Sequence, residues 1–397
     1  MKPIIFIPGI QATSLVNSNT FDFNYIWNAY DTLSTSIGTA ITGPYIKEYL
    51  QLNPLYDQSI ESIVERNHIA RFPYENSILK LKAKLNDNPL YKDTPIYLFG
   101  YDWRMSNMES AKRLKLYVEY LRNKLKGQNI EGFRFVTHSM GGLVLTCYLN
   151  LLKEDYSGID KIVMNAPPFL GSPYAMVHMV KGDGGLRSIL NWAIGRNEDM
   201  RKVIRTYPGV YELLPVYANA MIYKDDKQPL NLFEKKYWQN NIYDDIEELF
   251  DARLALLKEF HGPTGSKNLS ELPQAVKDKM VIVVGEKDNT YTQLLVDKKK
   301  FTTKNLVDLD SLKKGIDSGD GTVPFKSSSI YAKDITTLAV KKENFFDEIS
   351  NNLDFHGLFL KDSRVQNIVE RFLNTEDIIP GGIKNWWEVP NHSVRKV

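Results

Sequence analysis

Phe133-Arg134-Phe135-Val136-Thr137-His138-Ser139-Met140-Gly141-Gly142 is the stretch that decides the reading of this chain. An apolar strand ends, a serine sits at a sharp turn, and Gly141-Gly142-Leu143-Val144 opens a helix. Such a turn, the nucleophile elbow, is strained and tolerates little side-chain bulk two residues either side of its serine. Gly141 meets that demand beyond Ser139, and Thr137 departs from glycine before it. The strand–turn–helix context restores the match. The plainer alternative is an ordinary serine capping a helix, and the context weighs against it.

Outward from the elbow, short apolar runs alternate with helical patterns, the signature of a largely parallel sheet covered by helices. The runs Pro3–Ile7, Pro95–Phe99, Phe133–Val136, Lys161–Met164, Met280–Val284 and Ile335–Val340 are expected strands. Ala111, Leu114, Val118, Leu121 and Leu125 recur at spacings of three and four, which predicts an amphipathic helix. Further helices are expected over Tyr74–Leu85 and Leu360–Leu373. The fold class is therefore α/β, a single domain over residues 1–397 with a mostly parallel central sheet. Two long segments break the rhythm, residues 12–70 and residues 174–277, and they are expected to form a lid-like insertion and a cap.

Composition narrows the function. Lys plus Arg number 50 against 48 Asp plus Glu, a formal net charge of +2. That balance argues against a nucleic-acid binder, which needs a basic excess on one face. The best basic cluster, Lys298-Lys299-Lys300, reads as solvated surface. The single cysteine, Cys147, allows no internal disulfide and lies in an apolar stretch, as a small buried hydrophobe does. No apolar run approaches the ~20 residues of a membrane span. Ile4–Ile7 runs straight into Pro8-Gly9 and reads as strand and turn rather than a secretory signal. A reduced, cytoplasmic setting is the expectation, with a trimmed secreted parent as the alternative.

A serine nucleophile needs a base. Of six histidines, His138 is adjacent in sequence, but neighbours at an elbow point in different directions. His68, His178 and His261 fall in the insertions and His392 in the tail. His356 stands after the last expected strand and before the last helix, where the order serine, acid, histidine requires it. Two acids compete to orient it. Asp288 follows a strand in Val284-Gly285-Glu286-Lys287-Asp288. Asp320 lies in the glycine-flanked turn Ser318-Gly319-Asp320-Gly321-Thr322, where a carboxylate enters with little hindrance, and is the preferred candidate. Spacing alone does not decide between them. The oxyanion hole is expected from the backbone N–H of Met140 and that of Ile10, in the loop after the first strand.

Together these residues resemble the lecithin–cholesterol acyltransferase-like family, which includes lysosomal phospholipase and phospholipid:diacylglycerol acyltransferase. The matching stretches are Ile4–Gly9, Tyr101-Asp102-Trp103-Arg104, His138–Gly142, Ala166-Pro167-Pro168, Leu170-Gly171-Ser172-Pro173, Leu213-Leu214-Pro215, Gly319–Val323 and His356. The resemblance implies an α/β-hydrolase core with a cap and a mobile lid over a lipid-binding groove. It assigns nucleophile, acid and base to Ser139, Asp320 and His356, and it places Trp27 in the lid region. Trp27, Leu170 and Met176 are the candidate substrate-contacting side chains. Asp102 and Arg104 look structural, since a buried pair can lock the loop beneath the site. In one departure, the animal enzymes carry a disulfide in the lid segment, where this chain has no cysteine.

The expected chemistry is double displacement on an ester or lipid substrate, at times at a membrane or micelle surface, through an acyl-enzyme that water or an alcohol resolves. No metal or organic cofactor is required. One rival is a carboxylesterase on small soluble esters. Another, of a different class, is a catalytically silent α/β-hydrolase that serves as a binding module.

Overall fold

Strands covered by helices on both faces need apolar side chains at nearly every position, so they read as unbroken apolar runs rather than alternating ones. The burial of Ile4, Ile5, Phe6 and Ile7, all at 2% exposure or less, is the outcome. A computed structural model describes residues 1–17, 25–27, 62–69, 74, 76–87, 93–153, 155–181, 197–238, 247–262, 268–286, 288–297, 313–342, 355–374 and 394–397.

Along the chain the described strands begin with β1 (Ile4–Ile7), β2 (Thr13–Asn17), β3 (Tyr25–Trp27), β4 (Ser62–Ile69), β5 (Ile96–Leu98) and β6 (Phe133–His138). They continue with β7 (Ile159–Asn165), β8 (Met221–Tyr223), β9 (Met280–Glu286), β10 (Asp288–Val296), β11 (Lys313–Gly319), β12 (Thr337–Lys341) and β13 (Val394–Lys396). Seven of them form the central sheet in the order β13-β12-β9-β7-β6-β1-β5. All its pairings are parallel except β12–β13. In register, Phe6 stands between Leu98 and Val136, and His138 stands opposite Asn165. The carboxyl ends of β1, β6, β7 and β9 therefore lie along one edge, the edge at which open α/β sheets place their sites.

The helix Asn107–Lys124 buries Ala111, Leu114, Val118 and Leu121 and packs on the helix Met140–Leu152. Its first turn is capped by Ser106, whose hydroxyl accepts from the N–H of Met108 at 3.1 Å and of Glu109 at 3.4 Å. The helix Met140–Leu152 is buried through Leu149, Cys147 included, as a helix pressed between the sheet and a second helix must be. The helices Asn76–Asn86 and Ser363–Asn374 pack on each other. Among the described residues no helix is long and apolar enough to cross a membrane.

The six expected strands and three expected helices are all present, with ends shifted by a few residues. Two small sheets were not anticipated: β3-β2-β4, within residues 12–70, and β11-β10-β8. Most of their strands mix polar and apolar positions, as in Ser62-Ile63-Val64-Glu65-Arg66-Asn67-His68-Ile69, and the apolar ones, β3 and β8, are only three residues long. Strand β13, only three residues long, gave no signal either.

Candidate active site

The turn after β6 forces Ser139 to φ 53° and ψ −129°, a conformation L side chains rarely adopt and that costs roughly 1–3 kcal/mol. Close packing holds it there. A Cβ on Gly141 would lie 2.4 Å from the carbonyl oxygen of Ile7, and one on Gly142 would lie 2.8 Å from Pro167 Cβ. A Cβ on Gly142 would meet Thr137 Oγ1 only in ordinary contact, at 3.4 Å, so the side chain of Thr137 fits beside the elbow. The Ser139 N–H donates to Asn165 O at 2.9 Å, and the Asn165 side-chain amide donates to Thr137 O at 2.9 Å, which ties the elbow to β7.

His356 lies in the one-turn helix Phe355–Leu358. Its Nε2 is 2.9 Å from Ser139 Oγ, and its Nδ1 is 2.7 Å from Asp320 Oδ2. All three side chains are buried. With a carboxylate at Nδ1, the ring carries its proton there, and Nε2 accepts from the serine hydroxyl. The other carboxylate oxygen, Oδ1, accepts from the N–H of Val323 at 2.7 Å and of Thr322 at 3.1 Å. Asp320 reaches this position because Gly285, at the end of β9, has no Cβ; one there would sit 2.5 Å from Asp320 Cβ. Asp288 is the first residue of β10, opposite Gly319, and its side chain lies outside the described residues.

Met140 is the first residue of its helix, so its N–H has no intrahelical acceptor. Ile10 follows Pro8-Gly9 at the end of β1 and lines the same cleft as Ser139. The stretch Tyr101–Arg104 fastens that loop from beneath. Tyr101 Oη donates to Pro8 O at 3.0 Å and Trp103 Nε1 to Thr13 O at 3.1 Å. Arg104 pairs with Asp102 through Nε at 2.9 Å and Nη2 at 2.7 Å, both residues buried.

The cleft over Ser139 encloses about 290 Å³. Much of its wall is apolar, from Trp103, Ala175, Ile204, Tyr207, Val210 and Leu213. Leu170 and Met176 are not among its described lining residues. Met176 is buried in the core, and the Leu170 N–H donates to Ser327 Oγ at 3.0 Å instead. Trp27 ends β3, and its side chain lies outside the described residues. Among the described residues no group of three or more His, Cys, Asp or Glu is placed to hold a metal ion.

Tyr74 and His138 were missed as site residues. Both are buried and line the cleft. The His138 ring lies 4.8 Å from that of His356, centroid to centroid. Burial pushes the His138 imidazole well below its usual pKa, reinforced by His356, and burial raises the Tyr74 phenol far above its own. Both are neutral at pH 7. The adjacency of His138 to the serine was a signal, read only as a question of whether it could be the base; Tyr74 offered none.

The lecithin:cholesterol acyltransferase family model matches residues 75–271, so the resemblance read from the sequence holds. Phospholipase A(1) LCAT3 of Arabidopsis thaliana is 30% identical over 168 residues, 39% of this chain and 33% of that protein. Lecithin-cholesterol acyltransferase-like 4, also of Arabidopsis thaliana, is 26% identical over 126 residues, 30% of this chain and 22% of that protein. The matches thus span a third or less of the length of these curated relatives. Among solved structures, the Tle4–Tli4 complex contains a chain with a TM-score of 0.65 at 17% identity, covering 94% of this chain and 98% of that one. At that identity the likeness speaks for the fold alone, which is that of the α/β-hydrolases.

Proposed function

We propose that this chain, an α/β-hydrolase similar over residues 75–271 to the lecithin:cholesterol acyltransferase family, is a serine-dependent lipid acyl hydrolase or O-acyltransferase. The observation that carries the reading is the unbroken line from Ser139 Oγ through both ring nitrogens of His356 to Asp320, at a strained elbow. In this reading His356 takes the proton of Ser139 as the hydroxyl attacks an ester carbonyl. Asp320 holds the ring tautomer and stabilises the imidazolium that forms. The N–H groups of Met140 and Ile10 meet the developing oxyanion. An acyl-enzyme results, and water or an alcohol takes the acyl group from it. Residues 12–70 act as a lid and residues 174–277 as a cap, with the acyl chain lying along the apolar wall. A lipid or phospholipid substrate fits the names of the relatives, which are phospholipase and acyltransferase proteins.

A carboxylesterase acting on small soluble esters is the second reading, and the cleft volume favours it. About 290 Å³ is at the lower end of ligand sites, which run to roughly 1,000 Å³.

Labelling by a fluorophosphonate, together with ester turnover, tests the nucleophile. Wild type is expected to label at one serine, and Ser139→Ala to lose both labelling and turnover, the latter by about 10⁴–10⁶-fold. More than a tenth of wild-type turnover in a clean Ser139→Ala preparation would overturn the assignment.

A further inference from the structure

A carbonyl oxygen can only accept, so the 3.1 Å contact between His138 Nε2 and His356 O places the ring proton of neutral His138 on Nε2. Its Nδ1 is then an acceptor, and Tyr74 Oη, 2.7 Å away, donates to it. The lone pairs of that phenol remain, and the Gly9 N–H donates to one of them at 3.2 Å. One buried chain of hydrogen bonds thus runs from the backbone of Gly9, beside Ile10, through Tyr74 and His138, to the backbone of His356. Each donor and acceptor in it is assigned without choice.

The far end of this chain completes a clamp. The His356 N–H donates to Asp320 O at 2.7 Å, its carbonyl receives the His138 proton, and its ring is held by Asp320 and Ser139. We infer that Tyr74 and His138 are positioning residues that fix the loop bearing His356 relative to the loop bearing Ile10, and so set the distance between base and oxyanion hole. The inference rests on the assignment of Ser139, His356 and Ile10 proposed above. A base displaced by a fraction of an ångström loses rate steeply, because proton transfer and oxyanion stabilisation must coincide. His138 is suited to the task because burial keeps it uncharged, so it neither competes with His356 for a proton nor repels its charged form.

The side chains available by mutation separate the two ends of the relay. Gln places an amide nitrogen where Nε2 stands and keeps the donor to His356. Asn reaches only the Nδ1 position and keeps the contact with Tyr74. Steady-state ester kinetics on the full chain should rank His138→Gln above His138→Asn and His138→Ala. The Asn and Ala variants are expected to lose on the order of ten- to a hundredfold in kcat with KM little changed. Tyr74→Phe, which removes one oxygen, should lose about tenfold in kcat. Each variant is compared well below its own unfolding midpoint and scaled to the fraction retaining native near-UV circular dichroism, so a loss of fold does not mimic a loss of rate. Equal losses for Gln and Asn, or Tyr74→Phe within twofold of wild type, would overturn the relay while an inactive Ser139→Ala left the site assignment standing. An active Ser139→Ala would overturn the assignment itself.

Discussion

At the scale of single residues, the arrangement around His356 brings to its ring Asp320, one of the two carboxylates that the sequence left in competition. Asp320 presents one oxygen to the ring and the other to two backbone N–H groups, so its position is fixed. Asp320→Asn keeps the shape, but an amide can donate to Nδ1 and turn the ring to the wrong tautomer. Turnover is expected to fall by about 10⁴-fold, and Asp288→Asn to cost far less; a larger loss for Asp288→Asn in the same assay would reverse the assignment. The sequence offered Ser139 through its strand–turn–helix context, Asp320 through its flanking glycines and His356 through its place after the last expected strand. Tyr74 was not legible, since its partners Gly9 and His138 lie 65 and 64 residues away and nothing local marks the meeting.

Single elements join residues 174–277 to the core, and the short helix Pro208–Glu212 makes one such junction. Its Gly209 packs on the carbonyls of Trp103 to Met105, where a Cβ would lie 2.7 Å from Met105 O. Beside it, Gly171 at φ +75° would bring a Cβ within 2.0 Å of Leu214 O. The stretches Leu170–Pro173 and Leu213–Pro215 therefore touch through backbone, and residue 171 has no room for a side chain. Glu212, buried, accepts from the Asn107 N–H at 2.6 Å and side-chain amide at 2.7 Å, at the N-terminus of the helix Asn107–Lys124. Burial, the largest influence, lifts its pKa from 4.5 to about 7, against the hydrogen bonds of Asn107 and Ser106 and with some help from Glu259. A folded-state pKa above the unfolded one stabilises fully below pH 4.5, and the contribution is lost as pH rises through 7. At about 1.4 kcal/mol per tenfold change in proton affinity, that loss is up to about 3 kcal/mol. Urea unfolding of Glu212→Gln between pH 4.5 and 8 should show a shallower decline than wild type; parallel curves would refute the linkage. The central strands were legible because continuous apolar runs mark double-sided burial, whereas the two small sheets are built from mixed polar sequence and three-residue strands.

For the molecule as a whole, the open matter is what the cleft accepts. Each methylene buried along Trp103, Ile204, Val210 and Leu213 would contribute about 0.8 kcal/mol, so four bring up to roughly 3 kcal/mol of extra binding. Catalytic efficiency on monomeric esters from two to twelve carbons is expected to rise with chain length. A maximum at two to four carbons would favour the soluble carboxylesterase reading. The strand order has a further consequence, for synthesis. β1 precedes both of its neighbours in the chain, so it gains β5 only after residue 98 and its second partner, β6, only as the elbow itself is translated. At ribosomal rates of about 5–20 residues per second, the nascent strand waits on the order of ten seconds for that second partner. The strand that leads into Ile10 thus keeps one open edge, on which a chaperone could act, until the serine arrives.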